Sequence, residues 1–99
     1  MVNYRLTNKA RFDLIDIWDY TVKTWSIKQA QKYYNQLIES FKFITQNLTV
    51  GKEYSEIREN LFGVRVGKHI AFYQIENEDN ILIIRVLHEQ MDLSNRLSE

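Results

Sequence analysis

Two apolar stripes at helical spacing, separated by one capping signal, constrain this chain more than any other feature. Ala10, Leu14, Ile17, Trp18, Thr21 and Trp25 recur at steps of three and four. Ala30, Tyr33, Tyr34, Leu37, Ile38, Phe41, Ile44 and Leu48 do the same. Thr7 stands where an N-cap opens the first helix, and Ser26 with Gln29 has the form of a capping box for the second. So short a connection forces an antiparallel hairpin. The second stripe is too wide for a two-helix seam, so the pair must also cover something flat. Trp18 and Trp25 are expected as large core fillers. Asp13, Asp16 and Asp19 fall on another face, where a wetted acidic surface is a better reading than a metal site.

The flat partner is a sheet. Val2 to Leu6 alternates apolar and polar residues, the period of a half-buried strand. Gly51 ends the helical region, and the polar residues 52–60 read as a loop or irregular crossing. Leu61 to Val66 and His69 to Ile75 are strand-like runs around Gly67-Lys68, a two-residue hairpin with the glycine at positive φ. The turn-forming residues 76–80 lead into Ile81 to His88, whose near-continuous apolar character implies a central strand covered on both faces. Met91 to Leu97 is a short tail with one helical turn opened by Asp92. The expected fold is a two-layer α+β domain, β-α-α-β-β-β, with a helix hairpin packed on a mostly antiparallel sheet and residues 1–99 forming a single domain.

Composition removes several function classes. The chain has no cysteine, which excludes disulfides and thiolate metal sites. Two histidines, His69 and His88, are too few for a structural zinc site, so neither metal nor cofactor is expected. No stretch approaches the roughly 20 apolar residues of a membrane span and no signal-peptide core is present, so a cytoplasmic protein without membrane contact is expected. Basic and acidic residues cancel at 13 each. Residues 1–50 hold seven Lys/Arg against four Asp/Glu, and residues 51–99 hold six against nine. The second half is net acidic, a poor start for gripping a phosphate backbone, so direct nucleic-acid binding is not expected.

Chemistry concentrates at the end of the last strand, Arg85-Val86-Leu87-His88-Glu89-Gln90-Met91-Asp92. A buried strand that delivers an arginine and a histidine to its own end places them for a partner or for a reaction. Arg65 and Lys68, on the hairpin before it, can converge with Arg85, and Tyr73 lies on the adjoining strand. The blander readings stand beside these. Arg85 makes an ion pair to a loop carboxylate, His88 is a polar strand terminus, and Tyr73 is core with its hydroxyl at the rim.

The ordered set of segments resembles the ParE branch of the RelE/ParE toxin–antitoxin superfamily. The matching pieces are Leu6-Thr7 with Ala10, Asp13-Leu14 and Ile17, then Tyr20-Thr21 and Trp25, then Gln29-Ala30 and Tyr33. Gly51-Lys52, Glu56-Ile57-Arg58-Glu59 and Phe72-Tyr73-Gln74 follow, and Arg85-Val86-Leu87-His88 with Met91-Asp92 is the most specific. Ser26, Leu48-Thr49-Val50 and Leu93 depart from the family's usual glycine or proline, which are changes of turn chemistry. The resemblance implies a toxin of a type II system that poisons DNA gyrase, with gyrase and a ParD-like antitoxin as partners. The candidate target-binding residues are Arg65, Lys68, Tyr73, Arg85, His88 and Met91, with none expected to be catalytic.

The rival is the superfamily's other activity, ribosome-dependent mRNA cleavage as in RelE. That chemistry needs a base, an acid and a cation for the phosphorane charge. Arg85 and His88 fill two roles, with Tyr73, His69 or Glu89 as the third. Strict alternation, however, puts Arg85 with Ile81, Ile83 and Leu87, and His88 with Leu82, Ile84 and Val86 on the opposite face. The two share a site only if the strand twists, bulges or ends first. A pure interaction domain is the third class.

Overall fold

A computed structural model describes residues 2–98. Strand β1 (Asn3–Leu6) leads into helices α1 (Asn8–Thr24) and α2 (Ile27–Gln46), followed by strands β2 (Lys52–Glu53), β3 (Leu61–Val66), β4 (His69–Asn77) and β5 (Asn80–His88), and by a short helix α3 (Leu93–Ser98). Both expected N-caps form, but the capping box is only half made, because the Ser26 N–H donates to the Thr21 carbonyl and not to the Gln29 side chain. The Thr7 hydroxyl accepts the Ala10 N–H and the Ser26 hydroxyl accepts the Gln29 N–H, each at 3.0 Å. Each satisfies one of the orphan donors of a helix start, which is why α1 and α2 begin where they do.

The five strands lie in the order β1-β5-β4-β3-β2. All neighbours are antiparallel except β1 and β5, which run parallel with Tyr4 opposite Ile81 and Leu6 opposite Ile83. The helix hairpin carries the chain from β1 to the far edge of the sheet, and β2, β3 and β4 return it to β5, which together make the crossover that a parallel pair requires. The β3–β4 turn carries Gly67 at φ 58° against the Tyr33 ring, where a Cβ would sit 2.8 Å from ring atoms. The fold class holds. One strand exceeds the expectation, because Lys52 and Glu53 in the presumed loop pair with Gly63 and Phe62.

Two apolar layers sandwich the sheet. On the helix side Ala10, Leu14, Leu37, Phe41 and Ile44 pack on Ala71, Tyr73, Ile81, Ile83 and Val86. On the other side Leu61, Phe72, Ile84 and Leu87 are covered by Leu97, with Leu93, Tyr54 and Ile57 around them. The central strand is thus covered on both faces, as its composition implied. Trp25 is a correction: it is in phase with the α1 stripe but follows the last helical residue, and it is 73% exposed. Trp18 is half-buried and meets Tyr34 edge-on at 6.2 Å between ring centroids.

Candidate functional site

The site is shaped by a bulge. Phe72 pairs with Arg85 but Tyr73 with Ile83, so Ile84 is an extra residue on β5. Beyond it the alternation inverts. Val86 joins Ile81 and Ile83 against the helices, while Leu87 joins Ile84 on the far face. This corrects the strict-alternation reading, which put Val86 and Leu87 on the opposite faces. His88 lies across from His69, whose ring touches Tyr33 of α2, so His88 faces the helices as well.

Arg85 is withdrawn from the surface. Strand β1 ends opposite Ile83, and Thr7 closes the next step by donating its N–H to the Ile83 carbonyl and its hydroxyl to that of Ile84. Past that point Asp13 of α1 takes over the strand edge. Its Oδ2 accepts the Val86 N–H at 2.9 Å and Arg85 Nε at 2.8 Å, and its Oδ1 accepts Arg85 Nη2 at 3.0 Å. Arg85 Nη1 donates to the Arg96 carbonyl at 3.1 Å. The side chains of the pair are 10% and 12% exposed. One guanidinium therefore ties α1, β5 and α3 together. The carboxylate comes from a helix and not from a loop, and Asp13 is not the wetted acid that its helix phase suggested.

Tyr73 is also structural. It is fully buried, donates its hydroxyl to the Leu48 carbonyl at 2.7 Å and accepts the Gly51 N–H at 3.1 Å. Burial pushes its phenol pKa up. A side chain at position 51 would meet that hydroxyl at 2.9 Å, so Gly51 is required for the close approach. Tyr73 pins the exit of α2 to the sheet and offers nothing to a partner.

The remaining expected residues do gather, at the end of the β3–β4 hairpin. Lys68 accepts the Glu89 N–H at its carbonyl, and the exposed Arg65 pairs with the Glu89 carboxylate. His69 and His88 stand ring to ring at 5.3 Å and 81°. The Tyr33 hydroxyl lies 2.6 Å from His69 Nδ1 and 3.0 Å from the Val66 carbonyl. It has one proton for both, so His69 Nδ1 is the donor when the hydroxyl bonds the carbonyl. His88 Nδ1 accepts the Gln90 N–H at 3.1 Å, which leaves the ring proton on Nε2 when that imidazole is neutral.

Desolvation and the neighbouring His88 hold His69 below its ordinary pKa of 6.5, against opposing pulls from Asp13 and Glu89. Burial raises Tyr33 above the usual phenol value, in part offset by the Lys68 and His69 backbone amides. Beside the imidazoles opens a largely apolar recess of about 400 Å³, lined by Asp16, Ile17, Tyr20, His69, His88 and Met91. It is chemically suited to an apolar or amphipathic side chain from a partner. Among the described residues no cluster of three or more metal-ligating side chains is present.

Of the six expected residues, Arg65, Lys68, His88 and Met91 share this end of the molecule, and Arg85 and Tyr73 are committed to the interior. The reading passed over Asp13, Asp16, Ile17, Tyr20 and Tyr33. A usable signal for the histidine pair was present. A hairpin that pairs Asn77 with Asn80 puts His69 opposite His88 by simple counting, and the two register shifts in β4–β5 cancel.

Comparison with known proteins agrees with this architecture. The family model for the ParE toxin of the type II toxin–antitoxin system parDE matches residues 4–93. Toxin ParE1 of Mycobacterium tuberculosis is 33% identical over 94 residues, covering 95% of this chain and 96% of the relative. Toxin ParE1 of Caulobacter vibrioides is 33% identical over 92 residues, with 93% and 94% covered, and Toxin ParE of Escherichia coli is 30% identical over 99 residues, with 100% and 96% covered. A solved structure described as the chromosomal ParDE system from P. aeruginosa superimposes with a TM-score of 0.76 at 21% identity, over 89% of this chain and 96% of that one, a likeness of fold. The chain belongs to the ParE family, the toxins of type II toxin–antitoxin systems.

Proposed function

We propose that this protein poisons DNA gyrase by binding it, and that a ParD-like antitoxin from the same operon neutralises it. The observation that carries this reading is the fate of Arg85. Cleavage of RNA needs a fixed cation at the reacting phosphate, and the arginine best placed in the sequence for that role is spent on Asp13 and a helix carbonyl. Of the other cations at this end, Arg65 is paired with Glu89, and Lys68 is a single exposed ammonium on a flexible stem, not a fixed fork. What the site end presents is an apolar recess with two imidazoles and an exposed methionine, features of a contact surface. Met91, His88 and the Arg65–Lys68 turn form the target-contacting patch. For the antitoxin, an amphipathic segment fits an apolar recess of this kind between α1 and the sheet end.

The histidine pair is the one feature favouring the rival ribonuclease, since two imidazoles 5.3 Å apart can serve as base and acid. His88→Gln separates the two. A binder needs only a planar polar group there, so the variant retains most of the growth arrest at matched expression. A ribonuclease would lose about 10²–10⁴-fold in rate. Abolished toxicity in a His88→Gln protein with unchanged circular dichroism overturns the binding reading.

A further inference from the structure

The balanced total charge conceals a local imbalance at the tip of the helix hairpin. From Tyr20 to Ile38 the chain holds Lys23, Lys28 and Lys32 and no acidic residue. All three lysines are exposed, and none has an ion pair among the described residues. Lys28 and Lys32 are four residues apart in α2 and so share its solvent face. The nearest acids along the chain lie towards the base of the hairpin: Asp19, one turn before Lys23 in α1, and Glu39, which pairs with Lys42 in α2.

Between the lysines, at the connection itself, Trp25 is 73% and Ile27 is 62% exposed. A tryptophan this open gains nothing from burial in the fold and is a ready contact group. Apart from the lysines, Trp25, Ile27 and Tyr34, the exposed residues from Lys23 to Gln36 are hydroxyls and amides: Thr24, Ser26, Gln29, Gln31, Asn35 and Gln36. Cations, neutral hydrogen-bonding groups and one flat ring together form the surface that binds single-stranded nucleic acid, with phosphates on the lysines and an unstacked base on the aromatic face.

We infer that the hairpin tip is a contact surface for single-stranded DNA. The charge complements a phosphate backbone, and the exposed Trp25 ring at the connection offers a face on which a splayed base can stack. Three lysines neutralise at most three phosphates, so the affinity is weak and its salt dependence measurable but shallow. This surface is separate from the recess at His69 and His88, and its binding to naked DNA does not depend on the gyrase reading. The expectation of no nucleic-acid contact rested on the net acidic second half, whereas this tip lies in residues 1–50, which hold seven Lys/Arg against four Asp/Glu.

The chain has two tryptophans, Trp18 and Trp25, so Trp18→Phe leaves Trp25 as the sole reporter. Titration with a 20-nucleotide oligothymidylate at low salt should quench its fluorescence. The logarithm of the binding constant should fall against the logarithm of salt with a slope of about 2 or less, the value for up to three single-strand contacts. Lys28→Glu with Lys32→Glu should abolish the quenching without altering circular dichroism, and Trp25→Ala should weaken binding of a labelled oligonucleotide by about tenfold or more. Wild-type protein and that labelled oligonucleotide, read by anisotropy, give the same test without the Trp18 substitution. Absence of salt-dependent binding in both formats overturns the inference. So does equal or stronger binding of a polyglutamate peptide, which would make the tip a surface for an acidic protein.

Discussion

Replacing Asp13 with alanine should cost more stability than the same change at any other charged residue of α1. The structure shows why. The carboxylate accepts three hydrogen bonds, two from the Arg85 guanidinium and one from the Val86 N–H. Both charged side chains are nearly buried, so solvent screens the pair little. Removing the anion leaves a buried guanidinium with its bond to the Arg96 carbonyl but no counter-charge, and leaves the Val86 N–H without its carboxylate acceptor. Breaking a buried pair from one side costs about 3–5 kcal/mol, and that figure already contains much of the orphaned-donor penalty. A small domain has about 5–15 kcal/mol in total, so the loss is a large fraction. With a urea m-value of about 1–3 kcal/mol/M, the midpoint should fall by roughly 1–5 M at unchanged slope. The joint change Asp13→Leu with Arg85→Met should cost less than Asp13→Ala alone, because no charge is left behind. The assay is urea denaturation followed by circular dichroism. A midpoint lowered by less than about 0.5 M, or a double variant worse than the single, would refute the claim that the pair is a buried clamp.

Phe41→Ala and Leu37→Ala, both at fully buried positions under the sheet, should each destabilise by about 2–5 kcal/mol through a cavity, read as a shifted denaturation midpoint; an unchanged midpoint contradicts the two-layer core. Gly67→Ala should cost about 1–3 kcal/mol, since φ there is 58° and a Cβ would press on the Tyr33 ring, and an equally stable variant would contradict the turn geometry. His69 is held below its ordinary pKa of 6.5 by burial and by His88, so the unfolded chain binds the proton more readily. Its contribution to stability is therefore complete above pH 6.5 and is lost as pH falls through the lower folded value. Thermal midpoints of wild type should drop faster than those of His69→Gln below that pH, and parallel profiles would count against it.

Much of this fold is legible in single residues. Thr7 and Ser26 mark helix starts because a hydroxyl at that position satisfies an otherwise orphan N–H, a purely local requirement. Gly67 marks a turn for an equally local reason. Long-range pairings leave no such trace. Nothing in Asn3–Leu6 announces that it runs parallel to β5, and Lys52-Glu53 becomes a strand only because β3 offers an edge. Trp25 has the right helical phase, but phase has meaning only while the helix lasts, and it ends at Thr24. The site was legible in its neighbourhood and not in its geometry. A one-residue bulge at Ile84 inverts every face assignment after it, and it carries no residue-type signature. Arg85 was correctly singled out as unusual, yet its partner Asp13 lies 72 residues away, on a helix face that looks wetted until β5 comes to rest against it.

The central claim is that this ParE-family toxin acts by holding gyrase and not by cutting RNA. It is tested most directly by incubating the purified protein with gyrase, ATP and supercoiled plasmid, with a cell-free translation reaction run in parallel. The account predicts that cleaved plasmid accumulates in proportion to toxin, while translation proceeds and its mRNA stays intact. Ribosome-dependent cuts in the mRNA, with gyrase turning over normally, would contradict it.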